Sequence, residues 1–162
     1  MNRNEQERPT MKAERAARHG RSEYRQWLTM TTRLRDNDAY GHMNNAVYGE
    51  YFDTAVNQPL IEAGVLDLER SDIIGLVVQS FTHYFEPVTC PGTVMLGMRV
   101  AHLGRSSVSY EFAMFLPDQD RAAAQGGYTH VHVDRRTRRP VELPEALRRV
   151  LAELGPASTI GA

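Results

Sequence analysis

The chain has 162 residues, of which 41% are hydrophobic, and its formal net charge is −1 at pH 7. This length predicts one domain with a full hydrophobic core, and the near-zero charge excludes a general electrostatic attraction to nucleic acid. The single cysteine, Cys90, excludes an intrachain disulfide, and no apolar run reaches the length of a membrane span. We therefore expect a soluble, cytoplasmic protein without a nucleic-acid or membrane partner.

The first 22 residues differ in composition from the rest of the chain. They carry many charged groups and almost no large apolar side chains, and such a segment cannot bury enough apolar surface to fold alone. The acidic residues Glu5, Glu7 and Glu14 count against a transit peptide. The composition predicts a flexible tail over 1–22, one domain over 23–155, and a short C-terminal tail over 156–162.

The domain begins with a strand and a helix. The segment "EYRQWLTMTTRLR" is rich in threonine and aromatic residues and predicts a strand over 24–34. After a polar turn, apolar residues recur at the spacing of one helix face: Val47, Tyr48, Tyr51, Phe52, Ala55 and Val56. This spacing predicts a long helix that packs through that face.

Both ends of the long helix have signals in the sequence. Asn44 or Asn45 can cap its first turn, and Gly64 can end it. Pro59 lies inside the pattern, and proline lacks the N–H that a helix interior uses. We therefore predict a kink or a restart of the helix near Gln58.

The remainder of the chain consists mainly of apolar runs separated by short turns. The runs are "DIIGLVVQSFTHYFEP", "TVMLGMRVAHLG", "SSVSYEFAMFLP" and "GYTHVHVDRRTRRPVELP", and the last has room for a fourth and a fifth strand of this series. The segment "PEALRRVLAELG" closes the domain as a short amphipathic helix. A single apolar helix needs cover, which a curved antiparallel sheet can supply, so the order of elements predicts an α+β fold.

The turn before the long helix is the candidate site. The stretch "RLRDNDAYGHMNN" contains Asp36, Asp38, His42 and two asparagines, whereas a connecting turn needs only glycine and one small polar residue. From spacing alone, the favoured role of Asp38 is a turn residue that binds its own loop backbone. The excess of polar groups favours a second interpretation, in which Asp38 is a catalytic carboxylate, because catalytic residues are concentrated in such loops.

The motif "DNDAYGHMNNAVYGEYFD" resembles the opening motif of the hotdog-fold acyl-CoA thioesterases of the 4-hydroxybenzoyl-CoA thioesterase-like family, Asp-x-Asp-x-x-Gly-(His)-x-Asn-Asn. The segment "FTHYFEPVTCPGTV" is similar to the second strand of that family, and the likeness covers about 24–147. The resemblance implies a curved antiparallel sheet wrapped around one long central helix. It also implies hydrolysis of an acyl-CoA to free acid and CoA, without a cofactor or metal, in a homodimer or homotetramer that completes the site between subunits.

The resemblance also implies roles for residues of the turn. Asp38 is the catalytic carboxylate, either as nucleophile or as general base, and the backbone N–H at or near Asn45 stabilises the oxyanion. Gly41 allows close approach of the acyl group. For His42 the choice between orienting Asp38 or water and simple packing stays open, and Asp36 is expected to hold the loop.

Two further groups of polar residues lie outside the turn. Arg105, Ser106 and Ser107 form the hairpin "GRSS", which in the family contacts the nucleotide end of CoA, although a merely polar turn explains the sequence equally well. His130 and His132 alternate in "THVHV", but a zinc site needs three or four ligands. We predict that both histidines lie on the polar face of an edge strand and bind no metal.

Two rival functions remain at this stage. A hotdog-fold enoyl-CoA hydratase or dehydratase would use a histidine, and His42 keeps that class open. A non-catalytic acyl-CoA-binding protein would keep the pocket but lose the acid, and the intact motif around Asp38 counts against it.

Overall fold

The computed structural model describes residues 16–155, which form one antiparallel sheet and two α-helices. Single-turn 3₁₀ helices precede β1 and α1, at Arg21–Glu23 and Leu34–Asp36. The main elements in chain order are β1 (Gln26–Thr31), α1 (Asn45–Glu62), β2 (Ile73–Tyr84), β3 (Thr93–Leu103), β4 (Ser107–Phe115), β5 (Ala124–Asp134) and α2 (Glu145–Glu153).

The five strands lie in the order β1-β3-β4-β5-β2, so β1 and β2 form the edges of the sheet. All neighbouring strands are antiparallel. The register shifts between Val77 and Gln79 in β2 and between Val100 and His102 in β3. Such bulges bend strands, and here they help the sheet to curve around α1.

The helix α1 supplies the centre of the core. Its buried face consists of Tyr48, Tyr51, Phe52, Ala55, Val56 and Leu60. Phe52 is fully buried and stacks on Phe112 of β4, with 5.3 Å between the ring centroids. A curved antiparallel sheet wrapped around one long helix is the hotdog fold, so the predicted fold class is confirmed.

The helix α1 runs without a break from Asn45 to Glu62, so of the predicted kink or restart near Gln58 the restart is wrong. Pro59 removes one backbone donor, but the buried face continues past it to Leu60 and holds the last turn in place. Gly64 ends the helix as predicted. It adopts φ +71°, its N–H donates to the Ile61 carbonyl, and the Val65 N–H donates to the Leu60 carbonyl.

The first strand and the last hairpin are shorter than predicted. β1 ends at Thr31 because the chain turns into the 3₁₀ helix at Leu34, where the Arg33 N–H binds the Asp36 carboxylate. Between β5 and α2, the chain forms an isolated bridge between Val133 and Pro140 in place of a further strand. Among residues 16–155, no helix is long and apolar enough to cross a membrane.

The boundary of the predicted N-terminal tail needs correction. Residues 1–15 and 156–162 lie outside the described residues, but residues 16–22 pack on the domain. The His19 N–H donates to Gln125 Oε1 at 2.8 Å, and the Arg21 guanidinium lies 5.1 Å from the Phe115 ring centroid. The Ala17 carbonyl also accepts from Gln125 Nε2 at 2.7 Å, so contacts with the sheet extend back at least to residue 17. Cation–π contacts and hydrogen bonds hold this segment, which has little apolar surface to bury.

The strand β5 is not an edge strand, so the prediction for its two histidines is also wrong. β5 lies between β4 and β2, and His130 and His132 are 7% and 4% exposed. They lie on the inner face together with Tyr128, whose hydroxyl donates to the Gly49 carbonyl of α1. Burial lowers the pKa of each histidine to about 4.

We expect these histidines to make the fold sensitive to acid. Between pH 6.5 and about 4 the unfolded chain protonates His130 and His132, whereas the folded chain keeps them neutral. The unfolded state then binds more protons, so the free energy of unfolding falls as the pH drops, by up to about 2 kcal/mol per histidine at pH 5. Urea denaturation at pH 7.5 and pH 5 measures this fall.

The double variant His130→Gln/His132→Gln is the control. It lacks both histidines but keeps the carboxylates, so it measures the loss of stability in acid that the histidines do not cause. Its free energy of unfolding should fall less between pH 7.5 and pH 5 than that of the unchanged chain. Equal falls in the two proteins would contradict the prediction.

Candidate active site

Asp36 anchors the loop between β1 and α1. Its side chain is 1% exposed and accepts hydrogen bonds from the Arg33 N–H at 2.7 Å, from Arg33 Nε at 2.8 Å and from the Tyr51 hydroxyl at 2.5 Å. Its carbonyl accepts the Asn44 N–H at 2.8 Å. These contacts join the start of the loop, its end and the helix, which is the holding role expected from the sequence.

The same contacts fix the charge state of Asp36. Burial alone would raise the pKa of this carboxyl, but the hydrogen bonds from Tyr51 and Arg33 and the Arg33 charge outweigh burial and hold the pKa below its usual value. Burial and the adjacent carboxylate raise the pKa of Tyr51 to about 12. Asp36 is therefore a buried anion at neutral pH and unsuited to give or take a proton.

Asp38 forms the tight turn with one of its two carboxylate oxygens. Its Oδ1 accepts the Tyr40 N–H at 2.8 Å and the His42 N–H at 3.4 Å, and Gly41 adopts φ +79° within the turn. Among the residues that the structure describes, no hydrogen bond to Oδ2 is found. The turn interpretation and the catalytic interpretation are thus compatible, because each uses a different oxygen.

The N-terminus of α1 leaves one backbone donor unused. The Asn44 side chain accepts the Ala46 N–H at 3.0 Å, and the Asn44 carbonyl accepts the Val47 N–H at 2.9 Å. The Asn45 N–H has no partner within residues 16–155. It carries the partial positive charge of a helix N-terminus, which suits it to stabilise a developing oxyanion.

Asp38, His42 and Asn45 line one cavity of about 330 Å³. The structure thus brings together the three residues that were predicted as catalytic. Gly41 lies in the same turn, and no atom would lie within 4 Å of a Cβ placed on it, so the space beside it is open. The other lining residues are Tyr40, Met43, Tyr48, Tyr84, Phe85, Glu86 and Pro87.

Three residues of this cavity region were missed in the sequence. The Tyr84 ring lies edge-on to the Tyr48 ring at 5.1 Å, and its hydroxyl donates to the Asn45 carbonyl at 3.4 Å. Glu86 pairs with Arg18 Nη2 at 2.5 Å, which lowers the pKa of Glu86. The alternation of Tyr84 and Glu86 in "HYFEP" was the available signal, but nothing local points to Arg18.

The hairpin of Arg105, Ser106 and Ser107 lies far from Asp38 within one chain. Ser107 pairs with Val131 of β5, whereas Tyr84 of the Asp38 cavity pairs with Ala124. Seven residues of strand separate these positions, or about 23 Å. The Arg105 side chain is exposed and lies 3.5 Å from Glu142.

No group of three or more His, Cys, Asp and Glu side chains within residues 16–155 has an arrangement that could hold a metal ion. The Asp38 cavity itself presents a carboxylate, the Asn45 backbone N–H and the His42 side chain.

The solved structures that resemble this one include a close relative. The PA5185 protein of Pseudomonas aeruginosa strain PAO1 is 49% identical, and the alignment covers 87% of this chain and 99% of that one with a TM-score of 0.85. The PA2801 protein of Pseudomonas aeruginosa, a candidate thioesterase, is 28% identical over 77% of this chain and 96% of that one, with a TM-score of 0.72.

A more distant neighbour shows the shared fold alone. Slr0204 of Synechocystis, a 1,4-dihydroxy-2-naphthoyl-CoA thioesterase, is 15% identical over 79% of this chain and 96% of that one, with a TM-score of 0.72. A comparison with curated proteins found no match.

The family model of the Thioesterase-like superfamily matches residues 32–151, which include the whole of the turn, α1 and β2–β5. This match extends over most of the chain, and the hotdog fold and the carboxylate at the N-terminus of the helix agree with it. The chain therefore belongs to the Thioesterase-like superfamily, a family of hotdog-fold thioester hydrolases, as its sequence motif predicted.

Proposed function

We propose that the protein hydrolyses acyl-CoA thioesters to a free acid and CoA. This proposal rests on two groups that line the same cavity, an Asp38 carboxylate oxygen and the Asn45 N–H. Neither group has a hydrogen-bond partner within residues 16–155. A thioester carbonyl between them would meet an attacking group and an oxyanion donor. Membership of the Thioesterase-like superfamily supports the reaction type.

The reaction follows from this arrangement. In one route Asp38 removes a proton from water, and the hydroxide adds to the thioester carbon. In the other route the carboxylate itself adds and forms an acyl–aspartyl anhydride, which water then cleaves. In both routes the Asn45 N–H stabilises the oxyanion, the C–S bond breaks, and the CoA thiolate leaves and takes up a proton.

A single turnover in H₂¹⁸O detects a nucleophilic Asp38 when water cleaves the anhydride at the aspartyl carbonyl. If Asp38 activates water, the product acid of the first turnover contains ¹⁸O. If Asp38 is the nucleophile and water then attacks the aspartyl carbonyl, the first product contains an oxygen from the protein and the ¹⁸O enters Asp38.

Thiol release from a panel of acyl-CoAs tests the proposed function against its rivals. We expect stoichiometric release of CoA from at least one class of acyl-CoA and no hydration of an enoyl-CoA. Hydration without thiol release would favour a hydratase that uses His42. Tight binding of acyl-CoA without turnover would favour a non-catalytic binding protein.

We also propose a homodimer formed through β2. This strand is an unpaired edge within the described part of the chain, and it exposes Val77, Val78, Phe81 and Tyr84 by 50%, 61%, 47% and 45%. An edge of this length favours pairing with another strand. Antiparallel pairing of β2 with the same strand of a second copy would extend both sheets.

Such a dimer would explain the position of the Arg105 hairpin. A two-fold antiparallel pairing places the Ile73 end of one β2 beside the Tyr84 end of the other. The hairpin of one protomer, which lies at the Ile73 end, would then approach the Asp38 cavity of its partner. There Arg105, Ser106 and Ser107 could bind the phosphates of CoA.

We expect the protein to sediment as a dimer or a larger assembly at micromolar concentration. Val78→Lys should shift it toward monomer and lower kcat/KM, because lysine at an edge opposes pairing. Leu68→Lys is the matched control, since Leu68 is 62% exposed but lies outside β2. Analytical ultracentrifugation and thiol-release assays of the same samples measure both effects, and a fully active monomer would contradict the shared site.

A further inference from the structure

The tip of the loop that contains Asp38 has little packing of its own. Residues 39–42 are all exposed, and Tyr40 is 86% exposed. The Asp38 N–H donates to the His42 carbonyl at 2.8 Å, and the Gly41 N–H donates to the Asp38 carbonyl at 3.1 Å. These bonds lie within the loop, so they set its shape but not its position on the domain.

The base of this loop is formed by Asn37 and Met43, which face each other as an isolated antiparallel bridge. Met43 fixes one side of the base, because it is 3% exposed and its N–H donates to the Val88 carbonyl at 2.7 Å. Asp38 follows directly after the other side of the base. The position of its carboxylate therefore depends on what holds Asn37.

The Asn37 side chain binds the backbone of Cys90, in the loop between β2 and β3. The Cys90 N–H donates to Asn37 Oδ1 at 3.2 Å, and Asn37 Nδ2 donates to the Cys90 carbonyl at 3.4 Å. Within residues 16–155, no other group is found to bond with the N–H or the carbonyl of Cys90. One side-chain amide therefore serves both backbone groups of a residue that lies 53 positions away in the chain.

The segment that Asn37 binds is itself held in place. The Thr32 hydroxyl lies within hydrogen-bond distance of the Thr89 and Gly92 carbonyls, at 3.3 and 3.1 Å, and the Thr32 N–H donates to the Gly92 carbonyl at 2.9 Å. Val88, two residues before Cys90, is 1% exposed. Asn37 thus connects the Asp38 loop to a fixed part of the domain.

Asparagine is suited to this contact because its amide carries a donor and an acceptor on one planar group. Aspartate would accept the Cys90 N–H but could not donate to the Cys90 carbonyl, and alanine would do neither. Backbone polar groups away from water need partners, and the amide of Asn37 supplies both. A change that removes this amide should therefore release the loop from the Cys90 segment.

We propose that Asn37 is a positioning residue of the candidate active site. Through the backbone of Cys90 it holds the loop so that the Asp38 carboxylate stays at the cavity that Asn45 also lines. Correct placement of a reacting group supplies a large part of many rate enhancements. The effect on turnover rests on the proposed hydrolysis, whereas the anchoring of the loop does not.

A double-mutant cycle for thioester hydrolysis separates positioning from a general loss of structure. Asn37→Ala should lower kcat by about tenfold with little change in KM, because a displaced carboxylate reacts less often while the substrate still binds. In the Asp38→Asn background the same change should cost less than about twofold, since the group that Asn37 positions is already absent. Asn37→Gln keeps an amide on a longer arm and should recover part of the loss.

Exchange of backbone amides with water, followed by NMR, tests the anchoring without any substrate. The Asp38 N–H and the Tyr40 N–H each form a bond of 2.8 Å inside the loop. Both should exchange about tenfold faster in Asn37→Ala than in the unchanged chain, because a loop that is released from Cys90 opens more often.

Asn57→Ala is the matched control for both measurements. Asn57 Nδ2 also donates to a backbone carbonyl, that of Asp53 at 3.0 Å. Asn57 lies on α1, twelve residues from Asn45, or about 18 Å along the helix. This variant should leave kcat and the exchange rates of the loop amides unchanged.

The proposal is overturned if Asn37→Ala keeps its full kcat, or if it loses the same factor with and without the Asp38 carboxylate. It is also overturned if the loop amides exchange no faster in Asn37→Ala. Should the protein hydrolyse no acyl-CoA, the exchange rates alone decide whether Asn37 anchors the loop. A failure of the proposed hydrolysis is therefore distinguishable from a failure of the anchoring.

Discussion

Asp38→Asn should lower kcat for thioester hydrolysis by about 10²–10⁴-fold, the usual contribution of a general base, and by more if the carboxylate is the nucleophile. The loop should survive the change, because the asparagine oxygen can accept the Tyr40 N–H as Asp38 Oδ1 does at 2.8 Å. KM and the melting temperature should therefore change little. Steady-state thiol release and a thermal melt of the same preparation measure the three quantities.

His42→Ala should reduce kcat less than Asp38→Asn does, because His42 contacts the carboxylate through its backbone N–H, which alanine keeps. If Asp38→Asn kept nearly full hydrolysis while His42→Ala abolished it, the chemistry would have to be assigned to His42. The hydratase would then become the better interpretation.

The oxyanion donor can be tested in the same series. Asn45→Pro removes the backbone N–H at the first position of a helix, which is where proline is best tolerated. The preceding residue, Asn44, already has φ −60° and ψ 137°, a conformation that proline accepts in its neighbour. We expect kcat to fall by about 10²–10³-fold, the cost of one lost oxyanion donor, whereas Asn45→Ala keeps the N–H and should remain active.

Asp36→Asn should lower the free energy of unfolding by about 2–4 kcal/mol, because it weakens three hydrogen bonds to a buried charge. Glu50→Gln is the matched control. Glu50 binds the same Arg33 guanidinium at 2.9 Å, but its side chain is 61% exposed, and such pairs contribute about 0–1 kcal/mol. Urea denaturation of both variants at pH 7 measures the difference, and similar losses in the two would show that Asp36 does not anchor the loop.

The fold and the position of the candidate site could be predicted because both depend on local pattern. The spacing of apolar residues from Val47 to Val56 identified the face of α1 that the sheet covers. The polar turn next to the cap of α1 identified the loop that holds Asp38, and its motif identified the family. The roles given to Asp38, Asn45, Gly41 and His42 remain predictions that the experiments above address.

The features that were missed depend on contacts between distant parts of the chain. "THVHV" does not reveal whether its strand is an edge, and only the strand order shows that β2 covers β5 and buries His130 and His132. Proline lacks a backbone donor, and from the sequence alone this predicts a break in the helix. The burial of Leu60 that keeps α1 continuous is a tertiary contact, which the local sequence does not reveal. The location of Arg105 at the far end of the sheet likewise follows from strand pairing alone.

The ion pair between Arg18 and Glu86 couples the N-terminal segment to the electrostatics of the Asp38 cavity. Arg18 lies 68 residues before Glu86 in sequence, yet its guanidinium binds that carboxylate and lies 5.7 Å from the Phe85 ring centroid, so it sets the charge at the rim of the Asp38 cavity. The segment that contains it forms none of the five strands and neither α-helix. A change at Arg18 therefore alters the charge beside the catalytic turn without altering any strand or α-helix of the fold.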